Sequence, residues 1–321
     1  VLVWELVSNC RRGKEMKAVK ILMIVLLPLS LFAAKTLIKP IPESIEVDAA
    51  KVQLGKKLFS DPILSRDGTI SCATCHDLQN GGDDGSKFAF GISGKKGAIN
   101  SPTVYNSGYN FRQFWDGRAR DLKEQARGPI ENPVEMGHTM EGAVQVLQKS
   151  ESYSEQFEAV YSDGITQENL VDAIAEFEKA LITPNAPFDR YIKGDKEAID
   201  PEVKRGYQLF VSKGCILCHH GINVGGNMYN KFGVFEDANS SNLGRYNVTK
   251  REEDKYFFKV PSLRNVEQTA PYMHDGRVAK LRQAVLLMSQ YQLGREIKAE
   301  DIDAIVLFLQ SLTGVIPKIV K

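Results

Sequence analysis

Two short cysteine motifs constrain this chain more than any other feature of its sequence. Residues 72–76 (CATCH) and 215–219 (CILCH) both have the pattern C-x-x-C-H. In this pattern the two thiols bond to a porphyrin and the adjacent histidine ligates its iron, which defines a c-type haem site. The predicted haem-binding residues are Cys72, Cys75, His76, Cys215, Cys218 and His219.

Three other uses of these cysteines fit the sequence less well. Structural disulfides would leave the histidine after each pair unexplained. The knuckles of a zinc ribbon lie about 15–20 residues apart, far closer than these two motifs, and a thioredoxin-like site needs one pair within a βαβ unit. The sequence therefore favours two covalently bound haems.

The charge balance excludes one class of partner. The chain has 321 residues, 43% of them hydrophobic, with 41 basic and 40 acidic side chains. That length and apolar content are sufficient for two ordinary domains. Without a basic excess, we expect no nucleic acid partner.

The first 34 residues have the layout of a signal peptide. Lys17 and Lys20 precede an apolar run over residues 21–32, which ends before Ala33-Ala34. This run is shorter than the roughly 20 apolar residues that a membrane anchor needs, so cleavage is favoured over retention. Residues 1–15 are interpreted as a possible mis-assigned start, and the mature protein is expected in the periplasm.

An internal repeat indicates two related helical units. Residues 55–59 (GKKLF) precede the first haem motif, and residues 206–210 (GYQLF) precede the second. Helical spacing is visible over residues 48–59, 140–181, 281–288 and 302–309, whereas residues 77–137 are rich in loop-forming residues. The predicted fold is mainly α, with two c-type cytochrome domains and little β structure. The predicted segments are residues 1–34 (signal peptide), 41–185 (N-terminal haem domain), 186–313 (C-terminal haem domain) and 314–321 (tail).

The ligand on the second face of each iron decides what each haem does. A sixth protein ligand gives electron transfer, whereas an open position allows substrate activation. A methionine at the second haem would raise its reduction potential, and the candidates are Met228, Met273 and Met288. Met288 is favoured because it lies at the end of a helical segment, just before a turn.

The chain resembles the bacterial di-haem cytochrome c peroxidases over roughly residues 45–317. The resemblance rests on several segments beyond the haem motifs. These are residues 54–59 (LGKKLF), 100–104 (NSPTV), 113–118 (QFWDGR), 133–136 (PVEM), 183–189 (TPNAPFD), 261–266 (PSLRNV) and 292–294 (QLG).

The resemblance implies a division of roles between the two haems. The N-terminal haem would be peroxidatic, and the C-terminal haem would be the high-potential site where electrons enter. Met288 would ligate the second iron, and Trp115 would lie between the haems. Glu135 and Gln125 would lie in the distal pocket of the first haem, where Glu135 shuttles a proton and Gln125 hydrogen-bonds hydrogen peroxide.

The resemblance also implies partners that the residues alone do not reveal. A Ca²⁺ ion would be bound by Asn100 and by the backbone carbonyls of Thr269 and Pro271, since hard cations prefer oxygen ligands. Electrons would come from a small cytochrome c or a cupredoxin, and a homodimer is expected.

One position departs from the family pattern. Many members have a distal histidine that blocks the oxidised first haem, and the corresponding residue here is Ile92. Isoleucine cannot ligate iron, and His138 is the only nearby substitute. We therefore expect an open first haem even when both irons are ferric, so that reductive activation becomes unnecessary.

Two other functions remain as alternatives. A MauG-type di-haem oxidase modifies another protein, but the resemblance places a tyrosine at the second distal position in that group, where this chain has Met288. A pure electron carrier would need both irons to be six-coordinate.

Overall fold

The computed structural model describes residues 37–320. The predicted signal peptide, residues 1–34, lies outside the described residues. Within residues 37–320, no helix is both long and apolar enough to cross a membrane.

Helices form most of the regular structure and surround the two haem motifs, which confirms the predicted mainly α fold. The α-helices are α1 (Ala49–Ser60), α2 (Cys72–Cys75), α3 (Leu122–Glu131), α4 (Met140–Gln148), α5 (Glu151–Glu158), α6 (Gln167–Ala180), α7 (Pro187–Ile192), α8 (Pro201–Ser212), α9 (Tyr246–Thr249), α10 (Leu281–Tyr291) and α11 (Ala299–Gln310). Short 3₁₀ turns cover Pro62–Leu64, Ile92–Gly94, Ser107–Tyr109, Cys215–Leu217, Glu252–Asp254, Val266–Gln268 and Lys318–Val320.

Within residues 37–320, one antiparallel pair of strands accompanies the helices. Strand β1 (Tyr229–Lys231) pairs with β2 (Phe257–Lys259), so that Tyr229 lies opposite Lys259. Three residues per strand agree with the expectation of little β structure.

The repeat seen in the sequence corresponds to two equivalent helix pairs. Helix α1 packs on α6 and α8 packs on α11, with one glycine at each contact. A Cβ atom at Gly55 would overlap the carbonyl oxygen of Ala173, and one at Gly206 would overlap that of Ala304. Glycine is therefore what lets each pair of backbones approach closely, and it does so once in each half.

The hydrophobic core is divided between the two halves of the chain. Leu54, Leu58 and Phe157 belong to one buried cluster of the first half, whereas Phe210 and Phe308 belong to the cluster of the second half. Cys215 of the second haem motif packs on the cluster of the second half, whereas Cys72 of the first motif packs on a third cluster that contains Phe59.

The last residues of the chain return to the first half. Val320 is buried in a further cluster of the first half, which includes Phe59 and Phe177. The Lys56 Nζ donates a hydrogen bond of 2.6 Å to the carbonyl oxygen of Ile319. The segment predicted as a tail thus packs on α1 and α6.

Helix α3 lies within residues 77–137, for which the sequence predicted long loops. Asp121 caps it by accepting a hydrogen bond of 3.0 Å from the backbone N–H of Glu124. Gly128 and Pro129 lie within this helix, and both residue types are unfavourable in helix interiors, so the sequence pattern did not predict it. The rest of the region is largely irregular, as predicted.

Candidate active site and haem crevices

The first haem motif forms a single helical turn that presents its histidine to a buried cavity. Ser71 and Thr74 cap α2, and the backbone N–H of Ser71 donates to the Thr74 hydroxyl at 3.0 Å. The His76 Nδ1 donates a hydrogen bond of 3.2 Å to the carbonyl oxygen of Gly82. This bond leaves Nε2 as the nitrogen available to iron.

The second motif repeats this arrangement. The His219 Nδ1 lies 3.4 Å from the carbonyl oxygen of Val224, which again leaves Nε2 available. The ring of Phe59 lies 6.4 Å from that of His76, and the ring of Phe210 lies 6.5 Å from that of His219. The phenylalanine that ends each copy of the sequence repeat therefore packs near the histidine of its own motif.

The chemistry of these residues fits covalently attached haem. The four motif cysteines are free, and burial raises the pKa of Cys72 to about 12 and that of Cys215 to about 11. No disulfide occupies these four thiols, so each pair can bond to a porphyrin. Burial also lowers the pKa of His76, and that of His219 to about 4, which favours the neutral imidazole that ligates metals.

A cavity of about 50 Å³ beside His76 brings the predicted catalytic pair together. Gln125 reaches it from α3, and Glu135 reaches it from the loop after α3. Cys72 and Cys75 line the same cavity. A carboxyl and a carboxamide therefore face the space beside the first haem motif.

The surroundings of Glu135 shift the pKa of its carboxyl. Burial raises the pKa of its carboxyl, and two weaker effects, a hydrogen bond from Asn132 and the charge of Arg118, oppose this. The Asn132 Nδ2 donates to the Glu135 Oε1 at 2.7 Å. Asn132, which the sequence analysis missed, fixes the orientation of the carboxyl and partly offsets the rise in its pKa.

A second carboxyl in this cavity was also missed. Glu178 of α6 is buried, its Oε2 has no hydrogen-bond partner among residues 37–320, and burial raises its pKa to about 8. It lines the cavity together with Ile174 of the same helix. Its position four residues after Ile174, on the apolar face of α6, was the sequence signal that would have revealed it.

Ile92 lies against the loop that carries Glu135. Its side chain is 1% exposed, and its backbone N–H donates to the carbonyl oxygen of Glu135 at 2.8 Å. His138 instead packs near Gly142 at the start of α4, and its Nδ1 accepts a hydrogen bond from the N–H of Thr139. Among the residues that the structure describes, His76 is the only histidine lining the first cavity.

A larger cavity of about 360 Å³ lies beside the second motif. Cys215, Cys218 and His219 line it, and Met288 reaches it from α10. Met273 lines it as well, whereas Met228 does not. The structure thus reduces the three methionine candidates to two, and Met288 stays the predicted ligand.

Trp115 and the three predicted calcium ligands line the second cavity too. The Trp115 Nε1 donates to the carbonyl oxygen of Asn100 at 2.9 Å, and the Asn100 Nδ2 donates to that of Ser86 at 2.9 Å. Within residues 37–320, no group donates a hydrogen bond to the Asn100 Oδ1 or to the carbonyl oxygens of Thr269 and Pro271. These three oxygens are therefore available to a hard cation.

The two cavities are haem crevices, each lined by a histidine and two free cysteines, and together they define a di-haem c-type cytochrome. Matches to family models agree with this class. Residues 49–197 match di-haem cytochrome c peroxidase, and residues 203–313 match cytochrome c.

Curated relatives identify the family. The chain is 47% identical over 285 residues to cytochrome c551 peroxidase of Nitrosomonas europaea, which covers 88% of this chain and 85% of that protein. It is 43% identical over 300 residues to cytochrome c551 peroxidase of Pseudomonas aeruginosa, which covers 89% of this chain and 87% of that protein. This chain belongs to the bacterial di-haem cytochrome c peroxidase family, which confirms the predicted family, enzyme class and pair of c-type haems.

Other similarities extend this picture. Cytochrome c peroxidase Ccp of Escherichia coli is 50% identical over 284 residues, 87% of this chain, but the match spans only 61% of that protein. Methylamine utilization protein MauG of Methylorubrum extorquens is 37% identical over 250 residues, 77% of this chain and 70% of that protein. The solved diheme peroxidase BthA of Burkholderia thailandensis shares the fold, with a TM-score of 0.72 and 20% identity over 88% of this chain and 92% of that chain.

Proposed function

We propose that this chain is a periplasmic peroxidase that reduces hydrogen peroxide to two waters with two electrons and two protons. The observation that carries the proposal is the asymmetry of the crevices. Gln125 and Glu135 line the first crevice, whereas among residues 37–320 no carboxyl lines the second, which Met288 reaches. One crevice thus offers acid–base groups to a substrate, and the other offers a sixth ligand suited to electron transfer.

In this mechanism the first haem, when bound, supplies the iron at which the O–O bond is cleaved. Glu135 accepts a proton from the near oxygen of peroxide and returns it to the far oxygen. Gln125 donates a hydrogen bond to the peroxide and holds it in place. The hydrogen bond from Asn132 favours the ionised form of the half-buried Glu135, which is the form that accepts this proton.

The electrons are proposed to come from a small cytochrome c or a cupredoxin and to enter at the second crevice. Met288 would ligate the second iron, and Trp115 would belong to the electron path toward the first crevice. The position of Trp115 in the second cavity supports this role. We place the two haem domains at residues 41–185 and 186–313, expect a homodimer, and assign residues 1–34 to export.

The test is turnover of the holoprotein. Hydrogen peroxide and a reduced small cytochrome c are mixed with the enzyme, and oxidation of the donor is followed by its absorbance. We expect two donor molecules oxidised per peroxide. A stable high-valent state without donor oxidation would support a MauG-type oxidase, and inertness would support an electron carrier. Either result would refute the proposal.

We also propose that Asn100, Thr269 and Pro271 bind one Ca²⁺ ion. Three oxygens that accept no hydrogen bond within residues 37–320 belong to residues lining one cavity and support this site, and Ca²⁺ accepts such ligands together with water. Isothermal titration of chelator-treated holoprotein with Ca²⁺ should show one site. The Asn100→Leu variant should bind far more weakly, and equal binding by this variant would exclude Asn100 as a ligand.

A further inference from the structure

Lys259 is a buried cation in the second crevice that the mechanism does not use. It ends strand β2, and its side chain lines the cavity together with His219 and Met288. The residue is 7% exposed. Its backbone N–H donates to the carbonyl oxygen of Trp115 at 2.8 Å, so its position is fixed relative to that segment.

The ammonium of Lys259 has no charge partner among residues 37–320. No carboxylate of the described chain lies within ion-pair distance of it, and no described side chain or carbonyl accepts a hydrogen bond from it. The fully buried Arg264, in contrast, pairs with Asp189 at 2.7 Å. Lysine is almost never buried unless it is paired, so we expect this ammonium to pair with an anion from outside the polypeptide.

The residues that line the cavity indicate which anion this is. Its lining contains no aspartate, glutamate or arginine, and Lys259 is the only lysine among the described lining residues. Cys215, Cys218 and His219 line this cavity and would hold the second haem in it, and a haem carries two propionate carboxylates. A propionate is therefore the anionic group that this crevice brings to a buried ammonium.

We propose that Lys259 binds a propionate of the second haem as an ion pair, and that its positive charge stabilises the reduced state of that haem. Burial alone lowers the pKa of the free lysine to about 8, which leaves it mostly protonated at neutral pH before any anion is present. The added carboxylate favours the charged form further.

The direction of the effect on the iron follows from the charges. Reduction removes one positive charge from the iron, so a nearby cation favours the ferrous state. Removal of the ammonium takes away this positive charge and leaves the negative charge of the propionate uncompensated, so the reduction potential of the second haem falls. This inference rests on the proposed role of that haem as the electron-entry site.

The test compares three variants of the holoprotein by spectroelectrochemical titration. Lys259→Met keeps the length of the side chain and removes its charge, whereas Lys259→Arg keeps the charge. Lys231→Met is the matched control, because Lys231 is exposed on the paired strand β1 and loses the same charge. We expect Lys259→Met to shift the reduction equilibrium of the second haem about tenfold toward ferric, or about 59 mV for a one-electron couple. The other two variants should stay close to the parent.

Several outcomes would overturn the inference. Equal potentials for the parent and for Lys259→Met, with both haems attached, would show that the ammonium does not act on the haem. An equal shift in Lys231→Met would show a general charge effect. If Lys259→Met does not incorporate haem, Lys259→Gln and Lys259→Arg are compared, and equal potentials in these two would refute the ion pair. A parent protein without a high-potential haem would instead refute the proposed electron-entry role.

Discussion

Replacement of Asp189 by asparagine tests the most deeply buried ion pair of the fold. The Arg264 Nη1 lies 2.7 Å from the Asp189 Oδ1, and both side chains are 0% exposed. The Asp189 Oδ2 also accepts a hydrogen bond of 3.1 Å from the backbone N–H of Ile41. The guanidinium donates further to the carbonyl oxygens of Lys39 at 2.8 Å and Ile222 at 3.0 Å. The pair thus joins the N-terminal segment, α7 and the loop after the second haem motif.

Asparagine preserves the shape of the side chain but leaves the Arg264 cation buried without its counter-charge. Loss of one partner of a buried pair costs about 3–5 kcal/mol. For a protein of this size, each 1 kcal/mol lowers the melting temperature by roughly 2–4 °C, so we expect a decrease of about 10 °C. Scanning calorimetry of the holoprotein measures the shift, and Soret absorbance shows that the haems stay attached.

Two further variants separate this mechanism from a general loss of charge. Glu253→Gln removes one end of an exposed pair with Arg251 and should leave the melting temperature nearly unchanged. The double variant Asp189→Leu, Arg264→Met removes both charges and should be more stable than Asp189→Asn. A decrease below about 3 °C in Asp189→Asn, or a double variant less stable than the single one, would refute the reasoning.

Three further predictions concern the first haem and the duplicated helix contact. Glu135→Gln should lower peroxide turnover about 10²–10⁴-fold with an unchanged Soret spectrum, whereas Glu131→Gln, at an exposed position, should leave turnover unchanged. Burial raises the pKa of Glu135, so the turnover of the native protein should begin to fall, as the pH is lowered, at a higher pH than for an ordinary carboxyl. The fully oxidised protein should show a high-spin ferric EPR signal and bind cyanide without prior reduction, and Ile92→His should weaken both; two low-spin haems in the native protein would contradict this. Gly206→Ala should lower the free energy of unfolding by about 2 kcal/mol, because the added methyl group overlaps α11. Gly108→Ala, where a methyl group has room, should change it little. Similar melting temperatures of these two variants would count against the close-approach argument.

The parts of this fold that sequence analysis predicted are those governed by local patterns. Helices α1, α10 and α11 follow from helical spacing of apolar residues, and the two haem motifs follow from residue identity at fixed spacing. The glycines of the repeat were visible as well. Their physical role, a close approach of two backbones, could be seen only in the structure. The helix that Gly55 contacts lies more than a hundred positions away in the sequence, and the helix that Gly206 contacts lies nearly a hundred positions away.

The residues that sequence analysis missed are polar groups in apolar surroundings. Glu178 lies on the buried face of α6, and Lys259 lies between Phe258 and Val260 in a buried segment. Periodicity shows which face of an element is buried, but it does not show which cavity a charged side chain on that face reaches. The convergence of Glu135 with Gln125 was available only from the family resemblance, since a glutamate in a loop is ordinarily a solvated carboxylate.

The return of residues 315–320 to α1 means that the two halves of the sequence are not interchangeable modules. The backbone N–H of Val315 donates to the carbonyl oxygen of Pro184 at 2.8 Å, and the Gln79 Nε2 donates to that of Val320 at 3.3 Å. A polypeptide emerging from the ribosome in N-to-C order cannot bury this edge of its first half until residues 315–320 have been made. A gene split at the linker between the halves would therefore separate the half that contains the first haem motif from a piece of its own interior.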